Sequence, residues 1–307
     1  MSGKRLAFIY PGQGAQYVGM AKDLFDQSIH VKQLMLEAET TLQRRVTDLM
    51  FNGPAEELKD TSNAQLAIFL HEVAVTRALT EAGVQPVITA GHSVGEYAAL
   101  VASNVLDYGH ALWLINQRGE FMAQAGDNNP GTMAAVLGLD DDVVARICAE
   151  TDGTVGIANY NCPGQVVISG ETNAVNAACE SLKGAGAKRC LPLAVSGAFH
   201  SPLVRDANAA LGENIQRVDF RNTDIPIVTN FDGVAHTTGD KIKQNLLVQM
   251  ESAVQWTKTL KTIEAFGVDE LVEIGPGTVL TGLAKRITPD IPVVQLSTVE
   301  QLEAFRA

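Results

Sequence analysis

Gly91-His92-Ser93-Val94-Gly95 is the strongest chemical signal in the sequence: a G-x-S-x-G pentapeptide between a short apolar run, Val87 to Ala90, and helix-forming residues from Glu96 onward. Glycines at both ends let the backbone turn sharply from strand to helix, which leaves the Ser93 hydroxyl standing over a helix N-terminus. There the main-chain N–H of Val94, helped by the helix dipole, can donate to an oxygen that turns negative as the serine is acylated. This is nucleophilic chemistry, with an acyl group carried as a serine ester. A serine that merely caps a helix is the bland alternative.

A serine hydroxyl needs a base, and the chain has six histidines. His92 adjoins Ser93, but neighbouring side chains diverge in a tight elbow. His71 lies within a long helical stretch and reads as structural. His30, His110 and His236 sit in polar, loop-like settings without a companion motif. His200 stands in Ala198-Phe199-His200-Ser201-Pro202, just before a helix start, with Ser201 as the capping residue and Pro202 in the first turn. It is the candidate base, with an ordinary loop histidine as the competing reading.

Pro11-Gly12-Gln13-Gly14 follows the first apolar run. Tyr17 occupies the position where a dinucleotide fingerprint needs Gly or Ala, and no Gly-Lys-Ser/Thr follows, so neither phosphate-binding loop is present. What remains is a glycine-flanked strand end suited to supplying a second oxyanion amide, from Gln13. Glu273-Ile274-Gly275-Pro276-Gly277 reads as a plain strand-to-helix turn. Arg118 lies in a helical stretch, Ala111 to Met122, whose other face is apolar, and Gly119 beside it allows close approach. Its planar guanidinium matches a carboxylate two-pronged, unless it is an ordinary surface arginine.

The elements that must position these groups alternate. Leu6–Tyr10, Ile225–Thr229, Glu270–Ile274 and Pro292–Leu296 read as short buried strands like Val87–Ala90. Helices fall over Met20–Phe25, Val31–Gln43 and Asn63–Ala82, the last with Leu66, Leu70, Val73 and Leu79 on one face and Gly83 as its stop. Alternation of this kind predicts a parallel sheet covered on both faces. After the turn signal Gly126 to Gly131 the order becomes β-α-β-β-α-β, through Thr132–Leu137, Asp141–Glu150, Val155–Asn159, Gln165–Ser169, Asn173–Ala185 and Arg189–Leu193. The expected fold class is therefore α/β: a large parallel-sheet, α/β hydrolase-like domain (1–126 and 198–307) with an inserted ferredoxin-like α+β subdomain (127–197). His200 then falls at the return from small to large domain, in the cleft where ligands bind.

Composition narrows the function classes. Lys and Arg number 23 against 35 Asp and Glu, a net charge of −12 that disfavours nucleic acid and anionic membrane as partners. No apolar run approaches the roughly 18 residues of a spanning helix. Cys148, Cys162, Cys179 and Cys190 have no Cys-x-x-Cys spacing and read as buried free thiols, so the expectation is a cytoplasmic chain without a metal site.

Taken in order, Pro11 to Gly14, Gly91 to Glu96, Gln117-Arg118-Gly119, Asn159-x-Asn161 with Pro163-Gly164-Gln165, Phe199-His200-Ser201, Val254-Gln255-Trp256 and Glu273 to Gly277 resemble the malonyl-CoA:acyl carrier protein transacylases of fatty-acid synthesis. They also resemble the acyltransferase domains of polyketide synthases. The resemblance runs nearly end to end. It implies that Ser93 carries the acyl ester, that His200 is base and then acid, and that the amides of Gln13 and Val94 form the oxyanion hole. It further implies that Arg118 pairs with the malonyl carboxylate and that a main-chain carbonyl near Gln249 orients His200. Gln65, Asn159 and Asn161 are implied as residues near the substrate, although Ala64-Gln65-Leu66 departs from the family's Thr-Gln-Pro. Phe199 and Ser201 look like the malonyl-selecting form of their segment. Malonyl-CoA as substrate, acyl carrier protein as partner and no cofactor follow. The carrier is acidic in this family, so Lys183, Lys188, Arg189, Lys285 and Arg286 are candidates to meet it. A polyketide-pathway acyltransferase, a hydrolase or editing thioesterase on the same scaffold, and a non-enzymatic acyl-binding module are the alternatives.

Overall fold

The computed structural model describes residues 3–306. Strand β1 (Leu6–Tyr10) leads into five helices, α1 (Lys22–Gln27), α2 (Ile29–Leu42), α3 (Val46–Asn52), α4 (Ala55–Lys59) and α5 (Thr61–Glu81). Then come β2 (Ile88–Gly91), α6 (Gly95–Ala102) and α7 (Tyr108–Asn128). The inserted unit holds β3 (Gly131–Leu137), α8 (Asp141–Glu150), β4 (Val155–Cys162), β5 (Gln165–Glu171), α9 (Thr172–Gly184) and β6 (Arg189–Pro192). The chain returns through α10 (Arg205–Gln216), β7 (Ile227–Val228), β8 (Ala235–His236), α11 (Gly239–Gln249) and α12 (Trp256–Phe266). It ends in β9 (Glu270–Ile274), α13 (Val279–Ile287), β10 (Val293–Leu296) and α14 (Val299–Arg306).

The large sheet has the order β10-β9-β1-β2-β7-β8. Its first five strands pair in parallel, and β1 shows why: Leu6, Phe8 and Tyr10 enter one apolar layer while Ala7 and Ile9 enter the layer on the opposite face. Strands buried on both faces read as unbroken apolar runs. The expected all-parallel sheet is corrected at its edge, where β8 pairs antiparallel with β7. The four-stranded sheet of the inserted unit is antiparallel, in the order β4-β5-β3-β6. Its core, with Val144, Ile168 and Leu182, is separate from the large ones.

Register places the site. Tyr10 of β1 lies opposite Gly91 of β2, so the loop from Pro11 and the elbow from His92 leave the sheet side by side. Ala90 lies opposite Val228 of β7, which brings the loop after β7 to the same edge.

Further expectations are overturned. The turn at Gly126 is helical, because α7 continues to Asn128. A Cβ at Gly126 would lie 2.3 Å from the Ser196 carbonyl oxygen, so this glycine serves the close passage of the returning chain over the helix. Helix α5 is buried around most of its circumference, from Ala64 to Thr76, rather than on one face. His30 and His110 are helical and His236 lies in β8, rather than in loops, and Cys190 is partly exposed while the other three thiols are buried.

Candidate active site

The backbone at Ser93 has φ 53°, left-handed for a non-glycine residue, and the two glycines of the motif make this possible. A Cβ on Gly91 would sit 1.9 Å from the Gly95 carbonyl carbon, and one on Gly95 would sit 2.4 Å from the Tyr10 oxygen. Only glycine permits so tight an elbow against β1. Asn230, from the loop after β7, clamps it: the Ser93 main-chain N–H donates to Asn230 Oδ1 (2.6 Å), and Asn230 Nδ2 donates to the Gly91 carbonyl (2.5 Å).

Ser93 Oγ lies 2.8 Å from His200 Nε2. On the far side of the ring, Nδ1 faces the carbonyl oxygens of Ser252 (2.9 Å) and Gln249 (3.2 Å). A carbonyl can only accept, so Nδ1 carries the proton and Nε2 presents its lone pair to the serine hydroxyl. The carbonyl expected near Gln249 is thus joined, at shorter range, by that of Ser252. Burial first, then the facing Arg118 cation, push His200 down from its ordinary 6.5 to about 3, so the imidazole is neutral.

Arg118 projects from α7 into the same cluster and is 1% exposed. Nη1 donates to Gln65 Oε1 (2.6 Å), and Nη2 donates to Ser93 Oγ (3.0 Å) and Gln249 Oε1 (3.1 Å). The Tyr97 ring lies beneath its guanidinium, 5.8 Å from centroid to Cζ. Close approach at Gly119 serves the helix pair, not a ligand, since a Cβ there would come within 2.9 Å of Ser62 Cα on α5. Gln65 holds its place despite the altered neighbours, because Ala64 and Leu66 are fully buried within an unbroken α5.

A cavity of about 330 Å³ opens over Ser93 and His200, between the two units. Gln13 and Asn159 line it, with Met122, Met133 and Phe199 supplying apolar wall. The main-chain N–H groups of Gln13 and Val94 have no protein partner among the described residues. Asn161 does not line the cavity: its Oδ1 meets His92 Nε2 at 2.9 Å, and the His92 ring packs against Trp256. His92 therefore ties the elbow to the inserted unit, and His71 is buried against the Ser297 carbonyl (2.8 Å).

Sequence reasoning missed Asn230, Ser252 and the side chain of Gln249. It also passed over Glu96 as a functional group, although Glu96 lies in the quoted motif. Glu96 is buried, and its Oε2 accepts from Gln249 Nε2 (3.0 Å). Among the described residues no His, Cys, Asp and Glu cluster could hold a metal, and no helix is long and apolar enough to cross a membrane.

A hydroxyl and a neutral imidazole on one cavity, with unpartnered amides beside them and a buried guanidinium bonded to that hydroxyl, can transfer an acyl group. Residues 7–296 match the acyl transferase domain model. The chain belongs to the acyl transferase domain family. The malonyl CoA-acyl carrier protein transacylase of Bacillus subtilis (strain 168) is 40% identical over 302 residues, covering 97% of this chain and 95% of that one. Among solved structures of this family, an acyl carrier protein S-malonyltransferase from Vibrio cholerae superposes with a TM-score of 0.94 at 41% identity, covering 98% of this chain and 99% of the other. A malonyl-transacylase in complex with its type II PKS acyl-carrier protein gives a TM-score of 0.94 at 38% identity, covering 98% of each chain.

Proposed function

We propose that the protein moves a malonyl group from malonyl-CoA to the phosphopantetheine thiol of an acyl carrier protein, for fatty-acid synthesis, through an ester on Ser93. The observation that carries this reading is Arg118. Its hydrogen-bond partners are two amide oxygens and a hydroxyl, none of them anionic, although the guanidinium is buried. No carboxylate touches it directly, because Glu96 lies beyond the Gln249 amide, and the malonyl group brings one into contact next to Ser93.

In the first half-reaction Ser93 Oγ attacks the thioester carbonyl while its proton passes to His200 Nε2. The amides of Gln13 and Val94 receive the oxyanion. The C–S bond then breaks and CoA leaves with the proton from His200. In the second, the carrier thiol gives its proton to His200 and attacks the ester, and Ser93 recovers the proton as it leaves. No step calls for a cofactor. Gln65 and Gln249 hold Arg118 in place, and Asn159 borders the acyl group. The strand order of the small sheet supports a ferredoxin-like insert, and the strand–elbow–helix supports a hydrolase-like large domain. Free thiols at Cys148, Cys162, Cys179 and Cys190 fit the cytoplasm.

Arg118→Ala tests this reading. Breaking a buried ion pair costs about 3–5 kcal/mol, which at 1.4 kcal/mol per decade is roughly two to three and a half decades in malonyl kcat/KM. Acetyl-CoA brings no carboxylate, so its loading should fall far less, and Lys should rescue malonyl transfer only in part. Equal losses on both acyl-CoAs would place Arg118 in the service of the scaffold.

A second expectation concerns the acidic carrier. Lys183 is paired with Glu180 (2.7 Å). Arg189 and Gln165 both stand opposite Leu137, and Arg286 donates to Gln165 Oε1 (2.7 Å), so Arg189 and Arg286 gather at one end of the small sheet beside Lys188. Transfer to carrier should weaken as salt is raised, because such charges are screened over ~10 Å at 0.1 M, while loading from CoA changes less. Identical salt profiles for the two half-reactions would remove the patch from the docking surface.

A further inference from the structure

The first turn of α6 buries a carboxylate directly behind the nucleophile. Glu96 Oε2 accepts from Gln249 Nε2 (3.0 Å) and from the main-chain N–H of Asn230 (3.2 Å), while Oε1 has no partner among the described residues. The Gln249 amide stands between two opposite charges. Its Nε2 donates to Glu96 and to the Ser93 carbonyl (2.8 Å), so its Oε1 is the end that faces Arg118 (3.1 Å). Glu96 thus fixes the orientation of an amide that in turn holds the guanidinium.

We propose that Glu96 is a positioning residue that serves as counter-charge to Arg118 in the free enzyme and takes up a proton when the malonyl carboxylate arrives, so that malonyl selection depends on pH. This rests on the reading that Arg118 receives the malonyl carboxylate. The charged and titratable groups around Glu96 set the balance. Burial disfavours its charged form and Asp232, in the loop after β7, repels it; the Gln249 and Asn230 hydrogen bonds and Arg118 on α7 favour it. The neighbouring Tyr97 phenol is itself kept neutral by burial. The result is a carboxyl raised to about 7. A second carboxylate on Arg118 adds like charge and draws off the cation's field, which raises the proton affinity of Glu96 further. His200, which also faces Arg118, gains proton affinity for the same reason and is the competing site of uptake.

Linkage gives the sign. A ligand that raises a group's proton affinity binds best where that group is already protonated. Malonyl selection should therefore be strongest below about pH 7, where Glu96 is protonated in the free enzyme. It should decline above that value until Glu96 is ionised in both states. Acetyl loading carries no such dependence.

The experiment is competition between malonyl-CoA and acetyl-CoA for Ser93, read by intact mass from pH 6 to 9. The malonyl-to-acetyl ratio should fall with rising pH, by up to about tenfold for every tenfold gain in proton affinity that the malonyl carboxylate confers on Glu96. In Glu96→Gln, which mimics the protonated acid, the ratio should become flat. A slope that persists in this variant assigns the proton to His200 and overturns the proposal, as does a flat ratio in the wild type. Should the variant fail to fold, proton uptake by the wild type in weak buffer near pH 7.5 decides: malonyl loading should take up more than acetyl loading, and equal uptake overturns the proposal. Absence of a malonyl ester at every pH would instead overturn the functional reading, and this proposal with it.

Discussion

Ser93→Ala is expected to leave no acyl-enzyme at all after mixing with malonyl-CoA, while the protein melts within a few degrees of the wild type. The hydroxyl both faces His200 Nε2 at 2.8 Å and accepts from Arg118. Its loss does not open the elbow, because Asn230 grips main-chain atoms of Gly91 and Ser93 rather than the side chain. Nor does it release Arg118, which keeps its bonds to Gln65 and Gln249. Intact mass gives the loading and thermal unfolding gives the fold. A malonyl adduct of normal yield on the alanine variant, mapped to another peptide, would move the nucleophile elsewhere.

His200→Ala should slow both half-reactions by ~10²–10⁴, the usual range for removal of a general acid–base group. One imidazole takes and returns the proton in each half, so the two losses should be of similar size. The pH dependence adds a sharper check. A base must be unprotonated to act, and a histidine lowered from 6.5 to about 3 is unprotonated throughout the neutral and mildly acid range. Acetyl loading, which is free of the Glu96 effect, should therefore show no fall through pH 6.5. Near-normal loading by the alanine variant, or a wild-type acid limb centred on the ordinary histidine value, would mean that His200 is not the base.

The parts of the site legible in the sequence are those written by local backbone sterics. Gly91 and Gly95 flank Ser93 because no other residue fits between β2, α6 and β1, and that requirement shows as spacing. Ser201 and Pro202 mark the turn after His200 in the same way, with Ser201 Oγ accepting from the Leu203 N–H (3.3 Å). Groups brought in by tertiary packing left no such trace. Asn230 reaches the Ser93 amide from 137 positions away, and Ser252 reaches His200 from 52 positions away. An asparagine in a loop has many ordinary uses, so its type alone says little. Gly126 misled because one residue type answers two demands, a turn and a close passage, and only the packing distinguishes them. The two-residue β8 and the short helices α3 and α4 are below the length at which periodicity can be read. The resemblance implies Asn161 as a residue near the substrate, yet its side chain turns instead to His92.

Both members of the reacting pair occupy backbone conformations that their residue types resist: φ is 53° at Ser93 and 56° at His200. For residues other than glycine this conformation costs of order 1 kcal/mol each, held in place by the packing around them. Backbone sterics alone would favour glycine at both positions, which would discard the chemistry. The strain at these two residues is therefore a record of a trade-off, in which the fold gives up some of its margin to present a hydroxyl and an imidazole to each other. Reserves of that kind have to come from elsewhere, and the doubly covered central sheet is where this chain keeps them.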